Sequence, residues 1–326
     1  MKAVLCRQFG EIADLTYEEC PSPVLLPNQV RVEVHAASLG FADVLMVQGL
    51  YQLKPQIPYS PGACGAGIVT EVGTDVRGIA VGERVSFLNY FGSLTEEIAT
   101  FDHTIVKIPD TMSFEQAATY RLTYSPAYFG LKIRGNLQPG ETLVVTGAAG
   151  GVGMAAVKLG KAFGARVIAA VGSEAKMAAA LEAGADHVIN YSTSSFKDEV
   201  KALTHGKGAD VIFEVTGGDV QEQAIRAINV FGRLLILGFA SGRIPATPNN
   251  LPLLKNCSVV GVNFGGWAIH KNFEAVSKMN KDLLELMAAG KLENTIAHRF
   301  PLSQTREAMQ TLLRHEKPGK IAITVR

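Results

Sequence analysis

The sequence predicts an α/β protein in which a β-rich segment precedes a doubly wound parallel sheet. Three observations carry that expectation. The chain has 326 residues, more than a typical single domain of roughly 100–200, so two domains are the natural division. Its texture changes near Pro109, from short alternating strands separated by turn-formers to strands that alternate with helical patterns. A glycine-rich stretch, TGAAGGVG at residues 146–153, then sits between an apolar run and a helical pattern.

The elements follow in order. Val30, Val32 and Val34 alternate with Arg31, Glu33 and His35, the mark of a strand with one wet face. Residues 67–73 and 84–87 read as further strands, with Pro61-Gly62, Gly73 and Gly82 as turns between them. That spacing predicts an antiparallel barrel or sandwich rather than βαβ units. Ser113 can cap a helix, with Glu115 or Gln116 reaching back. From Leu143 onward, strand candidates are 143–146, 166–171, 187–191, 211–215, 234–238 and 258–262. Four of the five intervals between them suit a helix; the exception holds Pro245, Pro248 and Pro252. Short, nearly continuous apolar strands suit a parallel sheet covered on both faces. The tail carries helical patterns at 273–289 and 303–314 and a final strand at 320–325.

Composition narrows the function classes. Hydrophobic content of 47% and charged content of 19% describe a soluble globular chain with ample core. A net charge of +1 gives no electrostatic reason to expect nucleic acid or an anionic membrane as partner. The uncharged stretch 142–157 is glycine-rich and shorter than the ~20 apolar residues of a spanning helix. Arg7 and Glu11 stand where a signal peptide would be apolar, so a cytoplasmic location is expected. Cys6, Cys20, Cys64 and Cys257 are scattered, with no C-x-x-C and no His at ligand spacing, and read as ordinary reduced thiols. His35, His205 and His270 show no partner pattern and are assigned no catalysis, while Arg121 and Lys132 read as solvated or rim charges.

The glycine stretch admits two readings. As T-G-x-x-x-G-x-G it is similar to the short-chain dehydrogenases, which use a Tyr-x-x-x-Lys pair downstream. Here 145 residues precede the motif and the only later tyrosine, Tyr191, is followed by Ser-Thr-Ser-Ser. The single Tyr-x-x-x-Lys, Tyr128 to Lys132, lies upstream and is a chance match. As A-x-G-x-x-G from Ala148 to Gly153 the stretch is a Rossmann fingerprint with its first glycine replaced. Gly150 then lets the backbone approach a pyrophosphate, and free amides at the helix N-terminus face its charge. Gly153 allows tight packing of helix on strand. Val152, Ala156, Leu159 and Phe163 form the expected inward stripe, which Gly164 can end.

A β-rich first domain, a central Rossmann domain and a returning tail resemble the medium-chain dehydrogenase/reductase superfamily over essentially the whole chain. Within it the sequence is similar to the quinone oxidoreductase, zeta-crystallin-like branch. The stretches that carry the likeness are FADVLMVQGLY, PGACGAGIVTEVG, GETLVVTGAAGGVG, GARVIAAVGSEAK, GADHVINY and GRLLILGFASG. Val144 and Lys158 depart mildly from the branch's fingerprint, outside the phosphate loop. The resemblance implies a GroES-like barrel formed by 1–120 with 265–326 and a Rossmann domain over 121–264. It also implies reduction of quinones or activated alkenes by hydride from NADPH.

The same resemblance places the site. Zinc alcohol dehydrogenases of the superfamily carry Gly-His-Glu where this chain has Gly62-Ala63-Cys64, and their first catalytic cysteine falls near Leu39-Gly40. Their four-cysteine lobe has no counterpart, so no metal is expected. Tyr51 stands where the relatives place a tyrosine over the nicotinamide side; it is either a hydrogen-bond donor to the acceptor or a pocket wall. Gly40 replaces the branch's asparagine, and Asp43 reads as a first-turn acid of structural value. Thr123 matches a threonine near the nicotinamide ribose, or simply bonds its own helix backbone. The implied dinucleotide contacts are Gly150, Gly151, Val152, Gly153, Thr216, Gly238, Phe239 and Ala240. After Ala170-Val171 the chain has Gly172 and Ser173 where NAD-specific folds place an acid. Ser173, Lys176 and Tyr191 are thus expected to hold a 2′-phosphate; Glu174 either binds ribose and repels that phosphate or, from its loop, points to solvent. The expected partner is a small hydrophobic quinone or enone, and the apolar strand 258–262 invites a homodimer. An enoyl-thioester reductase and a cofactor-loaded structural or RNA-binding protein are the rival readings.

Overall fold

The computed structural model describes residues 1–269, 272–314 and 319–326. The chain divides into two compact units, one of residues 1–122 with 294–326 and one of residues 123–293.

The first unit opens with a hairpin, β1 (Lys2–Leu5) against β2 (Thr16–Glu19). β3 (Gln29–Leu39) follows, then α1 (Phe41–Val47), β4 (Cys64–Val72), β5 (Arg84–Leu88), β6 (Glu97–Phe101) and β7 (Ile105–Lys107). The alternation in β3 is as expected: Val30, Val32 and Val34 are fully buried while Arg31, Glu33 and His35 are half-buried. α2 (Phe114–Tyr128) begins at the expected cap. Ser113 Oγ accepts the Gln116 amide at 3.2 Å, and Gln116 Oε1 accepts the Ser113 amide at 3.1 Å.

The second unit carries β8 (Thr142–Thr146), α3 (Gly151–Ala162), β9 (Arg166–Val171), α4 (Met177–Glu182) and β10 (His187–Asn190). Then come α5 (Phe196–Leu203), β11 (Ala209–Glu214), α6 (Gly218–Ala227), β12 (Ile228–Ile236), α7 (Asn250–Lys255), β13 (Ser258–Gly261), α8 (Phe264–Ile269) and α9 (Phe273–Ala288). The six strands form one parallel sheet in the order β10-β9-β8-β11-β12-β13. The order reverses at β8, so β8 and β11 flank the switch point where doubly wound sheets bind ligands. Two differences from expectation stand out, and the first has a plain cause. The Pro-rich interval does hold a helix, α7, because Pro252 is its third residue, where a helix has no use for the missing N–H. β12 starts at Ile228, earlier than the apolar run suggests, and passes through Phe231 at φ +60°.

The tail returns with β14 (Ile296–Pro301), α10 (Thr305–Arg314) and β15 (Lys320–Thr324). Its strands complete the first unit's sheet, ordered β14-β15-β3-β4-β5-β7, with β6 paired to β3. The returning part is shorter than expected: residues 265–293 cluster with the second unit. Contacts within that unit explain this. Tyr128 donates to Asp282 Oδ2 of α9 at 2.6 Å, and Phe129 stacks on Trp267 of α8 with centroids 4.7 Å apart. The first bond also engages the hydroxyl of the chance Tyr-x-x-x-Lys.

Candidate dinucleotide site and the buried polar groups of each unit

β8 delivers the chain to the glycine loop. Gly147 turns at φ +57°, the Ala148 amide bonds Ala170 O at 3.1 Å, and the Gly150 amide bonds Gly147 O at 2.9 Å. Gly150 is the N-cap of α3 and has no side chain to cap it. The amides of Gly151, Val152 and Gly153 are the first three of the helix and lack an intrahelical acceptor. A Cβ at Gly153 would stand 2.2 Å from Gly147 O, so only glycine closes this turn. Gly150, Gly151, Val152 and Gly153 are thus brought together, and the loop suits an anionic diphosphate. The inward stripe of α3 differs from expectation. Val152 is half-buried and Phe163 lies beyond the helix as its C-cap, while Ala155, Ala156, Val157, Leu159 and Gly160 are buried. Small residues set this packing: a Cβ at Gly160 would meet Leu143 Cδ2 at 2.6 Å.

The ends of β9 and β10 form the next part. Ser173 is extended and caps a short 3₁₀ turn, Glu174–Lys176, whose Lys176 amide bonds Ser173 O at 3.2 Å. The Tyr191 amide bonds Val171 O at 3.0 Å, and its ring lies over Gly172, where a Cβ would come 3.0 Å from the Tyr191 hydroxyl. Glu174 is exposed, and Lys176 makes no ion pair with any described residue. Burial raises the Tyr191 pKa, and the nearby Thr216 side chain opposes that shift.

β11 and β12 extend as a paired loop at the same edge of the sheet. The Leu237 amide bonds Glu214 O at 2.9 Å, the Ala240 amide Val215 O at 3.0 Å, and the Ser241 amide Thr216 O at 2.8 Å. These bonds hold Gly238, Phe239 and Ala240 beside Thr216 and Gly217. The sequence reading missed Glu214, which is fully buried at the end of β11. Burial pushes its carboxyl up to about 7, against the downward pull of the Gly217 and Thr216 amides and the Thr146 hydroxyl. An acid closing the apolar run Val211-Ile212-Phe213 was the available signal. Thr123, 2% exposed, lies within α2.

In the first unit, α1 leads to Tyr51. The amides of Leu50 and Tyr51 both bond Leu45 O, at 2.8 and 3.1 Å. The Tyr51 ring packs on the core around Val44 and Leu302, and its hydroxyl pKa is raised by burial, a shift that the Gln52 side chain opposes. Asp43 is more than a first-turn acid. It accepts the Gly40 amide at 2.7 Å, and burial raises its pKa despite the Ala63 and Gly62 amides and the charge of Lys320. Lys320, on β15, is buried too; its Nζ donates to Leu39 O at 2.9 Å, and desolvation lowers its pKa. Cys64 is fully buried and its thiol is pushed up to about 11 by desolvation. Arg121 corrects the reading as a solvated charge. It is 2% exposed, and its Nη1 donates to Thr104 O at 2.7 Å and Ser86 O at 3.3 Å. Lys132 is exposed as expected, its ammonium 5.4 Å from the Phe163 ring centroid. His35 does have partners, Glu33 at 3.2 Å and the Phe114 ring at 4.4 Å. His205 sits in a turn at φ +51°, and His270 lies outside the described residues.

Among the described residues no group of three or more His, Cys, Asp or Glu could hold a metal ion, and no helix is long and apolar enough to cross a membrane. Comparison with known proteins agrees with the geometry. Residues 26–110 match the alcohol dehydrogenase GroES-like domain, and residues 151–282 match the zinc-binding dehydrogenase family. The second match lies wholly outside Gly62-Ala63-Cys64. A quinone oxidoreductase-like protein 2 homolog from Nematostella vectensis is 40% identical over 100% of this chain and 89% of its own length. The solved Pseudomonas syringae quinone oxidoreductase has a TM-score of 0.93 at 29% identity, covering 99% of each chain. The Escherichia coli quinone oxidoreductase, solved with NADPH, has a TM-score of 0.93 at 27% identity over 100% of each. Fold, glycine loop and whole-length likeness converge: the chain belongs to the medium-chain dehydrogenase/reductase superfamily, among its quinone oxidoreductase-like members.

Proposed function

We propose that the protein is an NADPH-dependent, zinc-independent reductase of quinones or activated alkenes. The observation that carries the cofactor reading is the uncapped start of α3 together with the strand end that gathers Gly172, Ser173, Lys176 and Tyr191. The α3 amides meet the diphosphate, Lys176 supplies a cation to the 2′-phosphate, and Ser173 and Tyr191 offer it hydroxyls. Thr216, Gly238, Phe239 and Ala240 line the same edge of the sheet, and Thr123 is proposed as a ribose contact. Bound NADPH supplies a hydride.

The rest falls to the chain's own groups. Tyr51, kept protonated by burial, donates a hydrogen bond to the acceptor's oxygen. The proton that completes reduction comes from solvent or from Tyr51 itself. Ala63 has no ligand atom, and the Cys64 thiol is buried and protonated at neutral pH. A quinone or enone accepts hydride without prior deprotonation, so it needs no Lewis acid to generate an alkoxide. The protein is further proposed to be cytoplasmic and to pair as a homodimer along β13, the last strand of its sheet, whose Val259 is 44% exposed. NADPH consumption measured against quinones, enones, enoyl-thioesters and alcohols tests the reading. Turnover with quinones or enones is expected; turnover confined to enoyl-thioesters or alcohols overturns it.

A further inference from the structure

Among the described residues Glu214 is the one fully buried acid at the strand ends of the parallel sheet, and the proposed reduction does not use it. Its Oε1 accepts the amides of Thr216 at 2.5 Å and Gly217 at 2.7 Å, while its Oε2 has no hydrogen-bond partner among the described residues. A buried carboxyl oxygen without a partner weakens a fold, so its presence calls for a reason. The reason lies in what the two amides control. Gly217 and Gly218 both turn at positive φ, +72° and +57°. The turn between β11 and α6 is therefore built from residues with little conformational preference, and the carboxyl holds its two leading amides while the β12 loop pairs with its carbonyls.

Thr216 is the residue so fixed. On one side its Oγ1 would lie 3.5 Å from a Cβ at Gly147, against the glycine loop. On the other its side chain stands close enough to Tyr191, whose hydroxyl lies over Gly172, to oppose the rise in that hydroxyl's pKa. Val215, between the two anchored residues, is held by its own amide on Thr146 Oγ1 at 3.0 Å, at the end of β8. The bonds of this acid and of its neighbour Val215 therefore fix the end of β11 beside the end of β8.

We propose that Glu214 is a positioning residue for the adenosine end of the dinucleotide, setting Thr216 and, through it, the Tyr191 hydroxyl. This rests on the reading of that edge as an NADPH site. Because Glu214 acts through Tyr191 on the part of the ligand that distinguishes NADPH from NADH, its loss alters the ratio of the two affinities. A role in stability alone leaves that ratio unchanged.

Calorimetric titration of NADPH and NADH against wild type, Glu214→Ala, Glu214→Gln and Thr216→Val tests the proposal. Glu214→Ala is expected to weaken NADPH about tenfold and NADH distinctly less. Glu214→Gln presents an oxygen at the same place and is expected to restore NADPH to within about twofold. Thr216→Val removes one hydroxyl, leaves the amides in place, and is expected to shift the ratio in the same direction; it decides the matter if Glu214→Ala does not fold. An unchanged NADPH to NADH ratio in the folded variants overturns the positioning role and leaves the cofactor reading standing. A wild-type protein that binds neither dinucleotide overturns both.

Discussion

Lys176 is the residue on which cofactor choice turns. It is half-buried, free of ion pairs with described residues, and one turn past Ser173. A charge-assisted contact contributes about 1.5–3 kcal/mol, so Lys176→Ala should weaken NADPH tenfold or more and spare NADH in a direct binding titration. Equal losses for both would show that the 2′-phosphate binds elsewhere. Tyr51→Phe should lower kcat with little change in cofactor affinity, and an unchanged kcat would leave the ring as a wall. Glu214 gives a pH test. Its folded pKa, about 7, lies above the ordinary 4.5, so the folded state prefers the neutral acid. That contribution, on the order of 3 kcal/mol, is fully present below about pH 4.5 and is lost as the pH rises through 7. Glu214→Gln should therefore lose less thermal stability than wild type between pH 5.5 and 8.5. Parallel melting curves for the two would refute the burial argument.

At the scale of elements, the glycine loop is where sequence and structure agree most closely. Its conformation depends on backbone that only glycine permits, and glycines are visible in a sequence. Gly153→Ala should distort the start of α3, because the new Cβ meets the Gly147 carbonyl oxygen at 2.2 Å and backbone cannot rotate aside. A loss of about 1–3 kcal/mol in stability is expected, together with loss of dinucleotide binding. Retention of both would mean the loop is looser than described. The six strands were legible because both faces of a parallel sheet are covered and the strands run continuously apolar. α7 was hidden by its prolines, which mark a break only when their place in the helix is unknown. Arg121 and Lys320 were not legible as buried charges, since their partners are remote in sequence, whereas Glu214 bonds amides two and three residues on and closes an apolar run that marks it. Lys320 meets Leu39 across most of the chain, and no local pattern announces that.

For the whole molecule, the division into two units followed from length and texture, but its border in the tail did not. α9 reads as an amphipathic helix wherever it is placed, and its bond to Tyr128 is one of the contacts that put it in the second unit. Assembly is open to a direct check: light scattering at micromolar concentration should give a dimer or a multiple of one, and a monomer would contradict pairing along β13. The central claim is hydride delivery from NADPH to a quinone or enone without zinc. Its most direct test is NADPH oxidation by the purified protein with 1,4-benzoquinone or 9,10-phenanthrenequinone, before and after prolonged chelation, beside alcohol oxidation and elemental analysis. The account predicts quinone-dependent oxidation of NADPH unchanged by chelation, with no stoichiometric zinc and no useful turnover of alkyl alcohols. Alcohol oxidation that is lost together with about one zinc per chain would contradict it.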